Sequence, residues 1–258
     1  MEVVTQIGQL FPAFDAALAG GILIFARLMG FILLAPVFNR KEIPSMVKIG
    51  FVFILTVTLT TVMKPATPPA DHSMLLSIVL NVAVGSMIGY MARLILIAID
   101  AGADMINMQM GLSSAMVLDP TSQTQISILE KYFSLFAILL FIHLGGIYWL
   151  LQAFMRSFDT FPIYATSIPL MKLVNIDYLI QMSSNVLYMG LQIASPVLLA
   201  TLGQDIILGV ISKTAPQVNV FQLSFLFKPV FGAAILIWIL PMLVNVMSDY
   251  FMSFSHIL

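Results

Sequence analysis

The sequence predicts an all-α integral membrane protein with about six hydrophobic helices, which proline and glycine residues interrupt and which pair as helical hairpins. Hydrophobic residues make up 60% of its 258 residues, only 9% are charged, and the mean hydropathy is +1.03. A soluble domain carries about 25% charged residues, because its surface has to face water. The charges of this chain are too few to cover a globule of its length, so lipid or partner protein must cover the rest.

Six apolar segments are candidate membrane helices, since a helix needs roughly 20 apolar residues to cross a bilayer. The second segment is short and carries Lys48 near its start, so it either spans, lies at the interface or lies inside an assembly. The segments lie at about 16–38, 46–63, 74–99, 132–155, 178–204 and 229–247.

Prolines and connections divide the apolar segments. The three longest connections are 100–131, 156–177 and 205–228. Pro36, Pro196 and Pro241 interrupt apolar segments and remove backbone hydrogen bonds that lipid cannot replace. Such breaks are tolerated where protein or a water-filled cavity covers the backbone. Because Lys and Arg favour cytoplasmic loops, six spans would place both termini outside and the 205–228 connection inside.

The residues give little support to an enzyme. Cysteine is absent, which excludes disulfides, thiolate metal sites and a cysteine nucleophile, and the net charge of −1 with no basic block gives no support to nucleic-acid binding. His72, His143 and His256 are far apart and lack the spacing of metal ligands. His143, within an apolar segment, is either part of a proton relay or, as we favour, a packed or hydrogen-bonded helix residue. The sequence therefore predicts no catalytic, cofactor-binding or metal-binding residue.

Two features of the apolar segments predict helix packing. Arg27 lies within the first segment, and burying it in lipid would cost about 2.5–3.5 kcal/mol. It should therefore face protein: a carboxylate, an array of carbonyls or, as a partner contact, another subunit. Gly85 and Gly89 form a GxxxG pattern, which lets another helix backbone approach closely.

The stretch 100–125 is too polar to span a membrane and too apolar for an ordinary solvated loop. Its four methionines alternate with Gly, Ser, Asn and Gln, and Gly111 disfavours a long rigid helix. Methionine is flexible and polarizable, which suits a surface that must seal and then re-pack. The alternative is a loop folded over helix ends. The four methionines are Met105, Met108, Met110 and Met116.

Three blocks, in order along the chain, resemble the FliR family of type III secretion export-gate proteins. The first block matches at Arg27, Pro36, Pro44 and Lys48. The second matches at Gln109, Gly111, Leu112, Asp119 and Pro120. The third matches at Pro196, Gly209, Lys213, Ala215, Pro216, Gln217, Asn219, Phe221 and Lys228. Ser224 departs from the glycine of many flagellar members and leans toward the injectisome branch of the family.

The resemblance implies a core subunit without enzyme activity or cofactor. Together with FliP-like and FliQ-like subunits it would form a hetero-oligomeric entry pore for unfolded protein substrates, next to an FlhB-like export component. The resemblance also implies a location: the chain would be a multi-pass protein in the lipid of the bacterial inner membrane and part of the flagellar basal body. The chain would be one FliR-like domain, 1–258, with about 1–177 FliP-like and about 178–258 a FliQ-like hairpin.

The resemblance also implies the roles of individual residues. The stretch between the third and fourth segments would plug the pore, and the tip of the C-terminal hairpin would meet the next export component. The plug residues would be Met105, Met108, Gln109, Met110, Gly111, Met116, Asp119 and Pro120. The subunit and partner contacts would be Arg27, Lys213, Pro216, Gln217, Asn219 and Phe221.

Two other functions remain open from the sequence. One is the equivalent export-gate subunit of a virulence injectisome. The other, from a different class, is a small-solute membrane transporter. A transporter is expected to have polar or ionisable groups near the midplane and internal repeats. The apolar segments hold Arg27 and His143 but no carboxylate, which favours the gate.

Overall fold

The fold is all-α, and the computed structural model describes residues 12–40, 43–65, 68–69, 73–112, 117–118, 125–126, 128–164 and 176–255. These residues form seven helices and one antiparallel pair of two-residue strands, in which Val117 pairs with Ile126. The helices are α1 (Pro12–Leu34), α2 (Ser45–Met63), α3 (Met74–Gln109), α4 (Ile128–His143), α5 (Gly146–Thr160), α6 (Ile176–Thr214) and α7 (Val220–Ser255). The strands are β1 (Val117–Leu118) and β2 (Gln125–Ile126).

Membrane-spanning capacity is concentrated in five of these helices. By length and composition α1, α2, α3, α6 and α7 could each cross a membrane, and the α4–α5 pair makes a sixth span if it is counted as one. The predicted all-α membrane fold with about six apolar segments is therefore confirmed.

The chain divides into two compact units. The first contains Met1–Arg93, Ile147–Leu179 and Leu258, and the second contains Leu94–Gly146 and Ile180–Ile257. Helix α3 contributes to both units, because the division falls between Arg93 and Leu94. The predicted FliP-like and FliQ-like parts stay predictions.

Glycines bring α1 and α3 into close contact in the first unit. A Cβ on Gly85 would overlap the carbonyl oxygen of Arg27, and a Cβ on Gly89 would lie 2.6 Å from the carbonyl oxygen of Phe31. In the other direction, a Cβ on Gly30 would overlap the carbonyl oxygen of Val82. Backbones approach this closely only where side chains are missing. The helix packing predicted from the GxxxG pattern is confirmed.

Helix α3 is ten residues longer than predicted, because the expected connection at 100–131 begins as helix and stays helical to Gln109. In the second unit Ala98, Ala103 and Ile106 are fully buried on α3, and a Cβ on Gly102 would lie 2.8 Å from the carbonyl oxygen of Gly190 on α6. Burial of this small-residue face against α6 outweighs the weak helix propensity that glycine and aspartate give the segment.

The predicted 132–155 segment is two helices. The chain breaks at Leu144 and Gly145, where Gly145 adopts φ +80°, a left-handed conformation that ends α4 at little steric cost. His143 is consequently the last residue of α4, and its side chain is exposed. His143 is therefore a helix residue, as we favoured, but it is not packed, because it lies at the exposed end of α4.

Helices α6 and α7 are also longer than predicted. The expected 205–228 connection shrinks to a turn, since α6 continues to Thr214 and α7 begins at Val220. Pro196 and Pro241 lie inside these helices and do not end them. Apolar helices tolerate proline where neighbouring groups or local adjustment satisfy the freed carbonyls. The prediction for Pro36 holds, because α1 ends at Leu34, two residues earlier.

We predict that Gly85→Ala lowers the stability of the folded chain. The added methyl group would overlap backbone, which cannot move aside as a flexible side chain can, and overpacking costs about 1–3 kcal/mol. The matched control is Gly50→Ala on α2, where a Cβ meets nothing within 4 Å. The control should gain up to about 1 kcal/mol from helix propensity. Thermal midpoints of the two variants, each purified in detergent with its co-expressed partner proteins and measured by size-exclusion chromatography, compare the two, and equal midpoints would contradict the packing argument.

Candidate functional site

The guanidinium group of Arg27 is buried in the first unit, with an exposed fraction of 0%. Its Nε donates to Asn81 Oδ1 at 2.9 Å, and its Nη2 donates to the carbonyl oxygen of Phe161 at 2.7 Å. Its Nη1 donates to the carbonyl oxygen of Ser157 at 2.9 Å and to Ser157 Oγ at 3.2 Å. Of the residues that the structure describes, those bonded to the guanidinium are all neutral.

These contacts place the charge at the C-terminal end of α5. The last carbonyls of a helix have no partner within it and carry a partial negative charge, so a cation there is favoured. The ring of Phe158 lies 4.2 Å from the guanidinium carbon, close enough for a cation–π contact. Carbonyl oxygens and an aromatic face thus replace the water that Arg27 loses.

Asn81 extends this cluster along the segment that follows α5. Its Nδ2 donates to the carbonyl oxygens of Ser77 at 2.7 Å and Ile163 at 2.9 Å. The Arg27 side chain is covered by its own chain, and its predicted contact with another subunit stays a prediction. The carbonyl array, the alternative left open by the sequence, is what the structure shows. Sequence reasoning missed Asn81, although an asparagine inside an apolar helix is itself a signal.

The predicted plug residues Met105, Met108 and Gln109 lie in the last turns of α3, so the expectation of a loop at these positions was wrong. Met110 and Gly111 follow as a turn, in which Gly111 adopts φ +72°. A left-handed glycine directly after the last turn is the usual way for a helix to end. Plug residues Met116, Asp119 and Pro120 lie outside the described residues.

The methionines at the end of α3 differ in their surroundings. Met110 is buried, and its side chain lies where a Cβ on Gly232 of α7 would be. Met108 is 59% exposed, and Met105, one turn earlier on the same face, is half-buried. Met110 therefore packs the interior of the second unit, whereas Met108 is available to other molecules.

Asn107, between these methionines, was not singled out from the sequence. It is fully buried, and neither atom of its side-chain amide has a hydrogen-bond partner among the described residues. A buried amide without partners costs about 1–3 kcal/mol. The end of α3 therefore buries an amide group whose partners do not lie among the described residues.

The predicted partner-contact residues of the C-terminal hairpin come together at one turn. Lys213 lies in the last turn of α6, Pro216 and Gln217 lie in the turn itself, and Phe221 lies in the first turn of α7. All are exposed. Asn219, also exposed, accepts a hydrogen bond at its Oδ1 from the backbone N–H of Gln222 at 3.2 Å, which caps the start of α7.

An ion pair links α6 and α7 beyond this turn. Lys228 Nζ lies 2.8 Å from Asp205 Oδ1. The pair was missed because its members lie in the predicted connection, where nothing in the sequence fixes their distance. Among the described residues, no group of three or more His, Cys, Asp and Glu side chains could hold a metal ion.

Comparison with known proteins identifies the family. The sequence profile of the family described as "Bacterial export proteins, family 1" matches residues 18–254, which is nearly the whole chain. The chain belongs to this family. The match covers Arg27, the end of α3 and the turn between α6 and α7, so all the sites described above are parts of the family domain.

Individual relatives are similar over most of their length. The flagellar biosynthetic protein FliR of Bacillus subtilis (strain 168) is 28% identical over 225 residues, which cover 86% of this chain and 84% of the relative. The protein of the same name in Escherichia coli (strain K12) is 24% identical over 218 residues, 84% of this chain and 82% of the relative. The surface presentation of antigens protein SpaR of Shigella flexneri is 26% identical over 208 residues, which cover 80% of this chain and 78% of the relative.

We predict that Arg27→Met destabilises the chain more than any loss of an exposed arginine. The variant leaves Asn81 Oδ1 and the carbonyl oxygen of Phe161 without their donor, at about 1–3 kcal/mol for each buried group. Arg27→Lys should be intermediate, because an ammonium group lacks the planar fork that reaches several acceptors. The matched control is Arg93→Met, which removes an exposed guanidinium from α3. The thermal midpoints of the three variants test this prediction, which fails if Arg27→Met and Arg93→Met are equally stable.

Proposed function

We propose that this chain is a structural core subunit of a flagellar type III protein export gate in the bacterial inner membrane. It would assemble with FliP-like and FliQ-like subunits around the entry pore for unfolded protein substrates, next to an FlhB-like component of the basal body. The observation that carries the proposal is the family match over residues 18–254, together with the flagellar name of the relatives in two distant bacteria. No cofactor and no nucleic acid enter the proposal.

Uncovered apolar surface supports the need for partner subunits. Helix α2 buries only Val52 and Thr56, and Met46 in its first turn is 86% exposed. On α7, Phe221 is 81% exposed and Trp238 is 84% exposed. Exposed apolar patches of this extent mark membrane or protein interfaces. A subunit that is covered by other helices in its assembly would have this surface.

The plug role rests on opposing demands at the end of α3. A resting gate has to block ions and water, yet it has to yield to a passing polypeptide. Methionine serves both demands, because its unbranched thioether side chain fills irregular gaps and re-packs readily. The exposed Met108 and the half-buried Met105 are the described residues that fit this role. Gly111, with its left-handed backbone, would let the chain leave α3 at a sharp angle.

A second assignment within the same class is the equivalent subunit of a virulence injectisome. Ser224 favours it, since many flagellar members have glycine there, and the similarity to SpaR of Shigella flexneri is compatible with it. The flagellar assignment is favoured by the name that the relatives in Bacillus subtilis and Escherichia coli carry.

We predict that the chain is stable only together with two small hydrophobic partner proteins, present in unequal copy number. The apolar faces of α2 and α7 would otherwise drive aggregation or proteolysis. Affinity purification of the tagged chain, with and without co-expression of the neighbouring export genes, followed by native gel and limited proteolysis, tests this. A protease-resistant monomer in detergent would contradict the gate proposal.

We predict that serine at both Met105 and Met108 makes cells leak small solutes while the assembly stays intact. Serine replaces two flexible apolar side chains at the end of α3 with small polar ones and so removes the apolar seal. The matched control is Met46→Ser, which changes a methionine that is 86% exposed on α2. Membrane conductance and complex recovery are measured together. Wild-type conductance in an intact double variant would overturn the plug role and leave the end of α3 as a packed structural element.

A further inference from the structure

Two prolines interrupt the backbone hydrogen bonds of the C-terminal hairpin, which α6 and α7 form in the second unit. Pro196 lies inside α6 and Pro241 lies inside α7. Proline has no N–H, so the carbonyl oxygen four residues before it loses its helical donor. Pro196 frees the carbonyl of Gln192, and Pro241 frees the carbonyl of Ile237. Each helix therefore has a gap in its hydrogen-bond ladder.

These two gaps lie at the same level of the hairpin. The ion pair between Asp205 and Lys228 sets the register of the antiparallel helices, with 2.8 Å between Oδ1 and Nζ. Pro196 is nine residues before Asp205, and Ile237 is nine residues after Lys228. The other ends of the two gaps are each thirteen residues from the pair. Because both helices rise about 1.5 Å per residue, the gap in α6 lies level with the gap in α7.

A serine hydroxyl replaces the donor that α6 lacks. Ser195 Oγ donates to the carbonyl oxygen of Gln192 at 3.0 Å. A hydroxyl bonded to a carbonyl of the preceding turn favours bending of a helix. Because a hydroxyl hydrogen rotates to suit its acceptor, the carbonyl stays satisfied when the backbone angle changes. The gap in α6 is therefore suited to bending.

The hairpin is packed on one side of the gaps and open on the other. On the side away from the turn, a Cβ on Gly190 of α6 would lie 3.2 Å from the carbonyl oxygen of Ala98 on α3. On the same side, the ring of Phe251 of α7 packs on Phe141 of α4, with centroids 5.4 Å apart. On the side of the turn, every residue from 209 to 231 is at least partly exposed. A bendable level between a packed part and an open part lets the open part move.

One contact on the side of the turn reaches the end of α3. The buried side chain of Met110 lies against Gly232, where a Cβ would be 2.5 Å from its Cγ. Gly232 lies between the gap in α7 and the turn, so it moves with the turn when the hairpin bends at the gaps. Met110 directly follows α3. Bending of the hairpin would therefore change the packing of Met110.

We propose that the gaps at Pro196 and Pro241 form one hinge about which the hairpin turn swings, and that this swing releases Met110 from Gly232. A hinge of this kind needs gaps at one level, since an intact ladder in either helix would keep the hairpin straight. A partner that binds the turn would thereby alter the end of α3. The hinge does not depend on the export-gate proposal, whereas its use in controlling the plug rests on that proposal.

The hinge is tested in the full chain with its co-purifying subunits, by the distance between two spin labels. The chain has no cysteine, so labels can be attached at Tyr132→Cys on α4 and Ser212→Cys near the turn, both at exposed positions. Pulsed electron paramagnetic resonance gives the distribution of their distance. Pro196→Ala combined with Pro241→Ala restores both backbone donors and should narrow this distribution about twofold.

The matched control is Pro229→Ala, which also removes a proline from α7. The gap at Pro229 lies opposite an uninterrupted stretch of α6, because it starts one residue from the ion pair, level with Gln204. This variant should keep the wild-type width. Alanine is a better helix former than proline, so all these variants should fold.

Alkylation of Met110→Cys by a maleimide measures the coupling to α3. A buried thiol reacts only when its cover moves away, so the rate should fall severalfold when both hinge prolines are alanine. Pro229→Ala should leave the rate unchanged. Met108→Cys, at a position that is 59% exposed, reports access of the reagent and should react equally in all variants.

Three outcomes would overturn the proposal. The first is a distance distribution of the double alanine variant that is as broad as that of the wild type. The second is equal narrowing by Pro229→Ala, since the level of the gaps would then be irrelevant. The third is a narrowed distribution with an unchanged alkylation rate of Met110→Cys, because the hinge would then not reach α3. Neither measurement requires protein export, so failure of the export-gate proposal would leave these outcomes unchanged.

Discussion

The buried guanidinium of Arg27 is the constraint around which the first unit is organised. A cation inside an apolar helix costs several kcal/mol unless oxygen atoms replace its water. Here the oxygens come from Asn81 and from Ser157 and Phe161 at the end of α5. The cost is met only while all these elements are in place, so one side chain fixes the end of α5 against α1 and α3.

The glycines of α3 make this arrangement possible. Gly85 lies against the carbonyl oxygen of Arg27, and Asn81, one turn earlier on the same face, then lies within hydrogen-bonding reach of the Arg27 side chain. A side chain at position 85 would push the helices apart and lengthen the bond to Asn81. Close backbone packing and the satisfaction of a buried charge are thus a single structural feature. Arg27 therefore stabilises the fold of the first unit.

The polar and apolar parts of the chain have separate tasks. Inside the first unit, Arg27 bonds to Asn81, to Ser157 and to backbone carbonyls, whereas the outer faces of α2 and α7 are apolar and uncovered. The proposed functional residues lie at helix ends, where the backbone leaves regular structure: after α3 at Gly111, and between α6 and α7 around Pro216. Helix ends are the positions at which a membrane subunit exposes polar groups and changes direction without breaking a span.

The sequence by itself determined the all-α membrane class, the approximate positions of the apolar segments and the glycine packing, because these depend on composition and on neighbours within one or two helical turns. Only the tertiary structure decided that α3 continues to Gln109, that Gly145 breaks a predicted span and that Arg27 bonds to carbonyl oxygens of its own chain. Arg27 and Ser157 are 130 residues apart, and no local pattern encodes their distance. The length of α3 likewise follows from burial against α6, a contact between residues far apart in the sequence.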